Sequence, residues 1–150
     1  MSDIERIVWG AFGGILVYVA GQLLSKFLIE PLYELRKSVG EVRFNLAFHA
    51  STIHTPIGRT KETSDAAGEA LLKDSCNLIA NLQAVPLYEL IRLLSFGVLM
   101  EKVDFEKAAV ELRGLSTYMH EKGAEAYASI DEIRNRVNKI EKLLQIKPLE

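Results

Sequence analysis

IVWGAFGGILVYVAGQLLS, residues 7–25, runs for nineteen positions without a charged side chain. At about 1.5 Å of rise per residue a helix of this length reaches roughly 28 Å, close to the roughly 30 Å hydrocarbon core of a bilayer. Phe27, Leu28 and Ile29 carry the apolar stretch past Lys26, whose long stem lets its ammonium reach the headgroups. Trp9 and Phe27 stand near the two ends, and Trp is a usual interface residue. The core helix of a small soluble domain shows a polar face, and here Gln22 and Ser25 supply almost all the polarity. The stretch reads as a membrane span.

A cleaved signal peptide would open on a basic segment and end at small residues. This chain opens with Asp3, Glu5 and Arg6, and Tyr18 before Ala20 spoils the one plausible cleavage site. The segment is therefore expected to stay as an anchor. Arg6 is the only basic residue on its amino side, whereas Lys26, Arg36 and Lys37, then Arg43, follow on the carboxyl side. That bias predicts a cytoplasmic location for residues 31–150. The single cysteine, Cys76, agrees, since one thiol builds no disulfide framework. Among Leu72, Ile79 and Ala80, Cys76 reads as a small buried hydrophobe.

Net charge is −2 over 150 residues, so there is no strong basic field for duplex nucleic acid. No fixed-period repeat or low-complexity tract divides the remainder. The organisation expected is a transmembrane anchor over 1–30 and a cytosolic bundle over 31–150.

That bundle reads as helical throughout, with no alternating run bounded by hairpin turns. Pro31 interrupts the membrane helix or opens a new one. Leu32, Leu35, Val39, Val42, Leu46 and Ile53 then recur at spacings of three and four. Thr55-Pro56-Ile57-Gly58 ends that helix, and residues 57–63 form a polar loop. Ser64 or Asp65 is expected to cap a helix to Ala84 with Ala67, Leu71, Ser75, Leu78 and Leu82 on one face. Pro86 opens a shorter piece, LYELIRLLSF, closed by Gly97. Asp104 caps a further helix carrying Phe105, Ala108, Ala109, Leu112, Leu115 and Met119. Ser129 with Glu132 has the spacing of a capping box, ahead of Ile130, Ile133, Val137, Ile140 and Leu144. The fold class is all-α: one N-terminal transmembrane helix followed by a four- to five-helix cytosolic bundle.

Gly10 and Gly14 make a GxxxG pair, with Gly21 seven residues further on the same face. Small residues in such a stripe let membrane helices approach closely, which predicts a homo-oligomer, and Gln22 adds a potential interhelical hydrogen bond. Tyr18, Gln22 and Ser25 would give at most an unselective channel wall. His49 and His54 lie about 140° apart on a helix, and neither HExxH nor CxxC accompanies them or His120. No metal site is expected. No phosphate loop or dinucleotide fingerprint is present, so no cofactor is expected either.

Arg43-Phe-Asn-Leu-Ala-Phe-His49 is an arginine followed, after five residues, by a histidine, on the first cytosolic helix. It resembles the R-x(4–6)-H motif of HEPN domains, helical bundles many of which cut RNA as dimers. The resemblance implies His49 handling the proton of the attacking ribose hydroxyl and Arg43 holding the scissile phosphate. Phe44 departs from the motif, which usually has a polar residue after the arginine. With its membrane anchor the arrangement is also similar to the HEPN-like accessory proteins of type VI CRISPR systems, thought to assemble as membrane pores. More broadly, FLIEPLYELRKSVGEVRFNLAFHA, LQAVPLYELIRLLSFGVL and AAVELRGLSTYM resemble a widespread group of small, uncharacterised bacterial single-span proteins. That likeness implies a bacterial inner-membrane setting, with Pro86 and Gly114 structural. The function expected is an oligomerising single-pass protein whose bundle docks a protein partner or regulates an assembly in defence or stress response. The alternative is a membrane-tethered ribonuclease using Arg43 and His49.

Overall fold

Pro31 does not end the first helix. In the computed structural model, which describes residues 3–55, 58–95, 99–121 and 124–147, α1 runs unbroken over Asp3–Phe48. Proline removes one helical N–H and its ring crowds the carbonyl four residues back. The helix absorbs this by widening over Ser25–Ile29, where the Glu30 N–H donates to Ser25 O, five residues back. Such π turns keep a helix going where the regular ladder fails.

The chain beyond it is helical, with no strand among the described residues: α2 (Ala50–His54), α3 (Lys61–Ala84), α4 (Tyr88–Leu94), α5 (Lys102–Tyr118), α6 (Ala124–Ala128) and α7 (Ile130–Leu143). The all-α expectation holds. The carboxyl half of α1 packs on α3, α3 on α5 and α5 on α7, with α2 touching both α3 and α7. The stripe Ala67, Leu71, Ser75, Leu78 and Leu82 of α3 is buried, as is Phe105, Ala108, Ala109, Leu112, Leu115 and Met119 along α5. Each large aliphatic side chain so buried contributes about 1.5–3 kcal/mol of transfer free energy. Ile133, Val137, Ile140 and Leu144 of the last segment are buried and Ile130 half-buried.

Several boundaries differ from expectation. His49 forms a turn, so the helix expected to reach Ile53 ends at Phe48 and restarts as α2. Thr60, not Ser64 or Asp65, caps α3: its hydroxyl accepts from the Thr63 N–H at 3.2 Å while the Thr63 hydroxyl accepts from the Thr60 N–H at 3.0 Å. α4 begins at Tyr88 and α5 at Lys102, which leaves Asp104 in the first turn of α5. Ser129 precedes α7, yet its hydroxyl donates to Glu121 Oε2 at 2.6 Å and makes no cap bond, so the capping box does not form. Cys76 is exposed, not buried. Ser75 takes the inward position and donates to Ala109 O at 2.7 Å, and the next residue along a helix lies about 100° round. Pro56, Ile57, Phe96 and Gly97, the residues expected to punctuate two loops, lie outside the described residues.

Candidate functional site

The amino half of α1 leaves the bundle as an apolar rod. None of Asp3–Leu24 is buried, and Ile7, Trp9, Phe12, Leu16 and Leu24 are all exposed. One helix is thus long and apolar enough to cross a membrane. A soluble protein rarely leaves so much contiguous apolar surface in water. Gly10, Gly14 and Gly21 stand on this rod with open space where a Cβ would project. Gln22 is exposed and Ser25 half-buried.

Arg43 and His49 start from one helix and part company. Arg43 is exposed on α1, and His49, six residues later, sits half-buried in the turn before α2. Six residues of helix separate two side chains by about 120°. No hydrogen bond or ion pair joins these two among the described residues. Burial pulls the imidazole of His49 below its ordinary value, and the ring meets Phe48 edge-on at 5.0 Å. Phe48 in turn stacks on Phe44 at 5.6 Å, and both rings are exposed. His54 lies on α2, and His120, on the turn after α5, faces Asp65 at 3.5 Å. No group of three or more metal-ligating side chains gathers among the described residues.

Among the described residues one carboxyl is strongly perturbed, and no motif in the sequence marks it. Asp74 of α3 is 2% exposed, and burial pushes its pKa from 3.8 up to about 6, offset in part by Asn45. Asn45 Nδ2 donates to both carboxylate oxygens, at 3.0 and 2.9 Å. Seven residues away on each helix, Asn81 Nδ2 donates to Ser38 Oγ at 2.6 Å, and Ser38 donates to Glu34 O at 3.1 Å. These pairs are polar rungs on the α1–α3 seam. The signal for Asp74 was its register: three residues after Leu71 and four before Leu78, it lies on the inward stripe of α3.

Arg59 and Arg136 are structural cations. Arg59 forks between Thr52 O at 2.6 Å, Ile53 O at 2.9 Å and Tyr118 O at 3.1 Å, satisfying carbonyls at the ends of α2 and α5. Arg136 bridges Glu111 at 2.6 Å and Glu132 at 3.2 Å and lies over the Tyr118 ring at 5.5 Å. Gly114 makes room for it: a Cβ there would fall 2.5 Å from Arg136 Nη1. No family model, curated protein or solved structure matches this chain.

Proposed function

We propose that the chain is a single-pass protein of the bacterial inner membrane, anchored by the amino half of α1, with the helical bundle in the cytoplasm as an interaction or regulatory module. The observation that carries the reading is that no residue of an uncharged nineteen-residue run is buried against the bundle it is attached to. Lipid is the solvent that such a surface fits, and a helix satisfies its own backbone hydrogen bonds there. The basic residues Lys26, Arg36 and Lys37 on the carboxyl side of the span support the orientation. Self-association through Gly10, Gly14 and Gly21 would make the anchor an assembly device, with the bundles gathered beneath it. Cell fractionation tests the anchor: the full chain is expected to stay in the membrane pellet after alkaline washing. Recovery of monomer from the aqueous fraction without detergent overturns it.

A ribonuclease reading keeps one specific support. Phe44 and Phe48 present stacked, exposed rings, and exposed aromatic faces are surfaces on which the bases of single-stranded RNA stack. Cleavage of single-stranded RNA by the purified oligomer, lost in Arg43→Ala and in His49→Ala, would establish it. Wild-type protein without cleavage would end it.

A further inference from the structure

α4 is held by Tyr88 and the half-buried Ile91 and leaves its other apolar side chains outside. Tyr88, 5% exposed, donates its hydroxyl to Met100 O at 2.8 Å and meets Phe105 edge-on at 6.1 Å. The opposite face carries Leu87, Leu90, Leu93 and Leu94, with Leu90 49% and Leu94 71% exposed. This is a large apolar excess for a seven-residue helix. Leu87, Leu90 and Leu94 of this face look across a groove of about 850 Å³ whose other wall includes Leu23, Leu24 and Phe27 of α1. That volume lies within the roughly 300–1,000 Å³ of ordinary small-ligand pockets, though this lining is almost wholly hydrocarbon. Ser95 brings its only hydroxyl, already committed to Arg92 O at 2.8 Å.

The height of the groove names its occupant. Leu23 and Leu24 are in the last turn of the uncharged run, and Lys26 beside them marks the level at which a lysine stem reaches the headgroups. Arg92 of α4 does not line the groove and is bound to Glu89 at 3.2 Å and Glu101 at 2.7 Å, so the polar side of α4 is turned away from the hydrocarbon. We infer that α4 lies in the cytoplasmic membrane interface and that its groove against α1 holds lipid acyl chains of that leaflet. This rests on the reading that α1 spans the bilayer. An apolar helical face with a charged opposite side is what interfacial helices present to lipid.

The test uses the full chain in phosphatidylcholine vesicles, with Cys76→Ser as background and single cysteines Leu90→Cys, Leu94→Cys, Leu16→Cys and Glu69→Cys carrying an environment-sensitive fluorophore. All four sites are exposed, so the substitutions leave the core intact. Lipids bearing a nitroxide near the top of the acyl chain are expected to quench the labels at 90 and 94, lipids bearing one at mid-chain to quench the label at 16, and neither to dim the one at 69. Quenching at 16 without quenching at 90 and 94 overturns the groove while the span stands. Loss of quenching at 16 removes the span and the groove together. Blue-shifted but unquenched labels at 90 and 94, with disulfide-linked Leu94→Cys dimers, would assign the groove to a second copy of the chain and overturn the lipid.

Discussion

Asn45 and Asp74 face each other across two antiparallel helices, and the amide of one supplies a hydrogen bond to each oxygen of the other. The pair fixes register: with Ser38 and Asn81 seven residues away on each helix, sliding α3 along α1 would strand two buried polar groups at once. An unpaired buried group costs about 1–3 kcal/mol, so the seam tolerates one alignment.

Asp74 also makes stability depend on pH. Its folded pKa of about 6 lies above the ordinary 3.8, so between those values the folded state binds more protons than the unfolded one. Stability therefore falls as pH rises through that window and levels off above it, by on the order of 3 kcal/mol. Asp74→Asn is expected to flatten the slope and to raise stability at pH 7. Denaturant titrations at pH 4, 5, 6 and 7 check this, and an unchanged slope would place the titration elsewhere.

Gln145 is a residue in glycine's place. Its φ of 51° is left-handed, and the bonds Ile146 N–H to Glu141 O at 2.8 Å and Gln145 N–H to Lys142 O at 3.3 Å form a Schellman cap on α7. Gln145→Gly is expected to stabilise the bundle by about 1 kcal/mol, because the left-handed region costs a residue with a Cβ about 1–2 kcal/mol. A lower unfolding midpoint would contradict the cap.

Gly114 and Gly68 separate two kinds of crowding. At Gly114 an added methyl meets the Arg136 guanidinium at 2.5 Å and displaces it from Glu111 and Glu132. Gly114→Ala is expected to cost about 1–3 kcal/mol. At Gly68 the methyl meets the imidazole of exposed His120 at 3.0 Å, which has room to give, so Gly68→Ala costs less. Thermal melts of both variants decide, and equal shifts would show that Arg136 moves freely.

Among the described residues nothing lies within 4 Å of a Cβ built on Gly10 or Gly14. If they form an association face, Gly10→Leu with Gly14→Leu lowers the oligomer mass in detergent, and Gln22→Leu weakens it by the smaller 0.6–2 kcal/mol of about one interhelical hydrogen bond. Unchanged mass in the glycine variant would remove this face.

Much of this architecture was legible because buried stripes repeat. The Ala67–Leu82 face of α3 and the Phe105–Met119 face of α5 stood out at spacings of three and four, and both lie in the core. What was not legible turned on single hydrogen bonds. The Thr60/Thr63 cap lacks the glutamate or glutamine of the usual pattern, while Ser129 has the pattern and spends its hydroxyl on Glu121. Cys76 was misplaced by one step of the helical wheel, where Ser75 faces inward to reach Ala109. Asp74 was hidden because a carboxyl on an apolar stripe reads as an exception until its partner, twenty-nine positions away, is in view. Arg43 and His49, adjacent in a motif, diverge because the helix ends between them.

The unbroken α1 gives the molecule no slack. Its 46 residues form a rod of about 69 Å, stiff from one end to the other except at the widened turn before Pro31. A flexible tether would let an anchored domain swivel on its own. Here any tilt or twist imposed on the upper half arrives below as torque on Leu35, Ser38, Val42 and Asn45, at the very surface where α3 is seated.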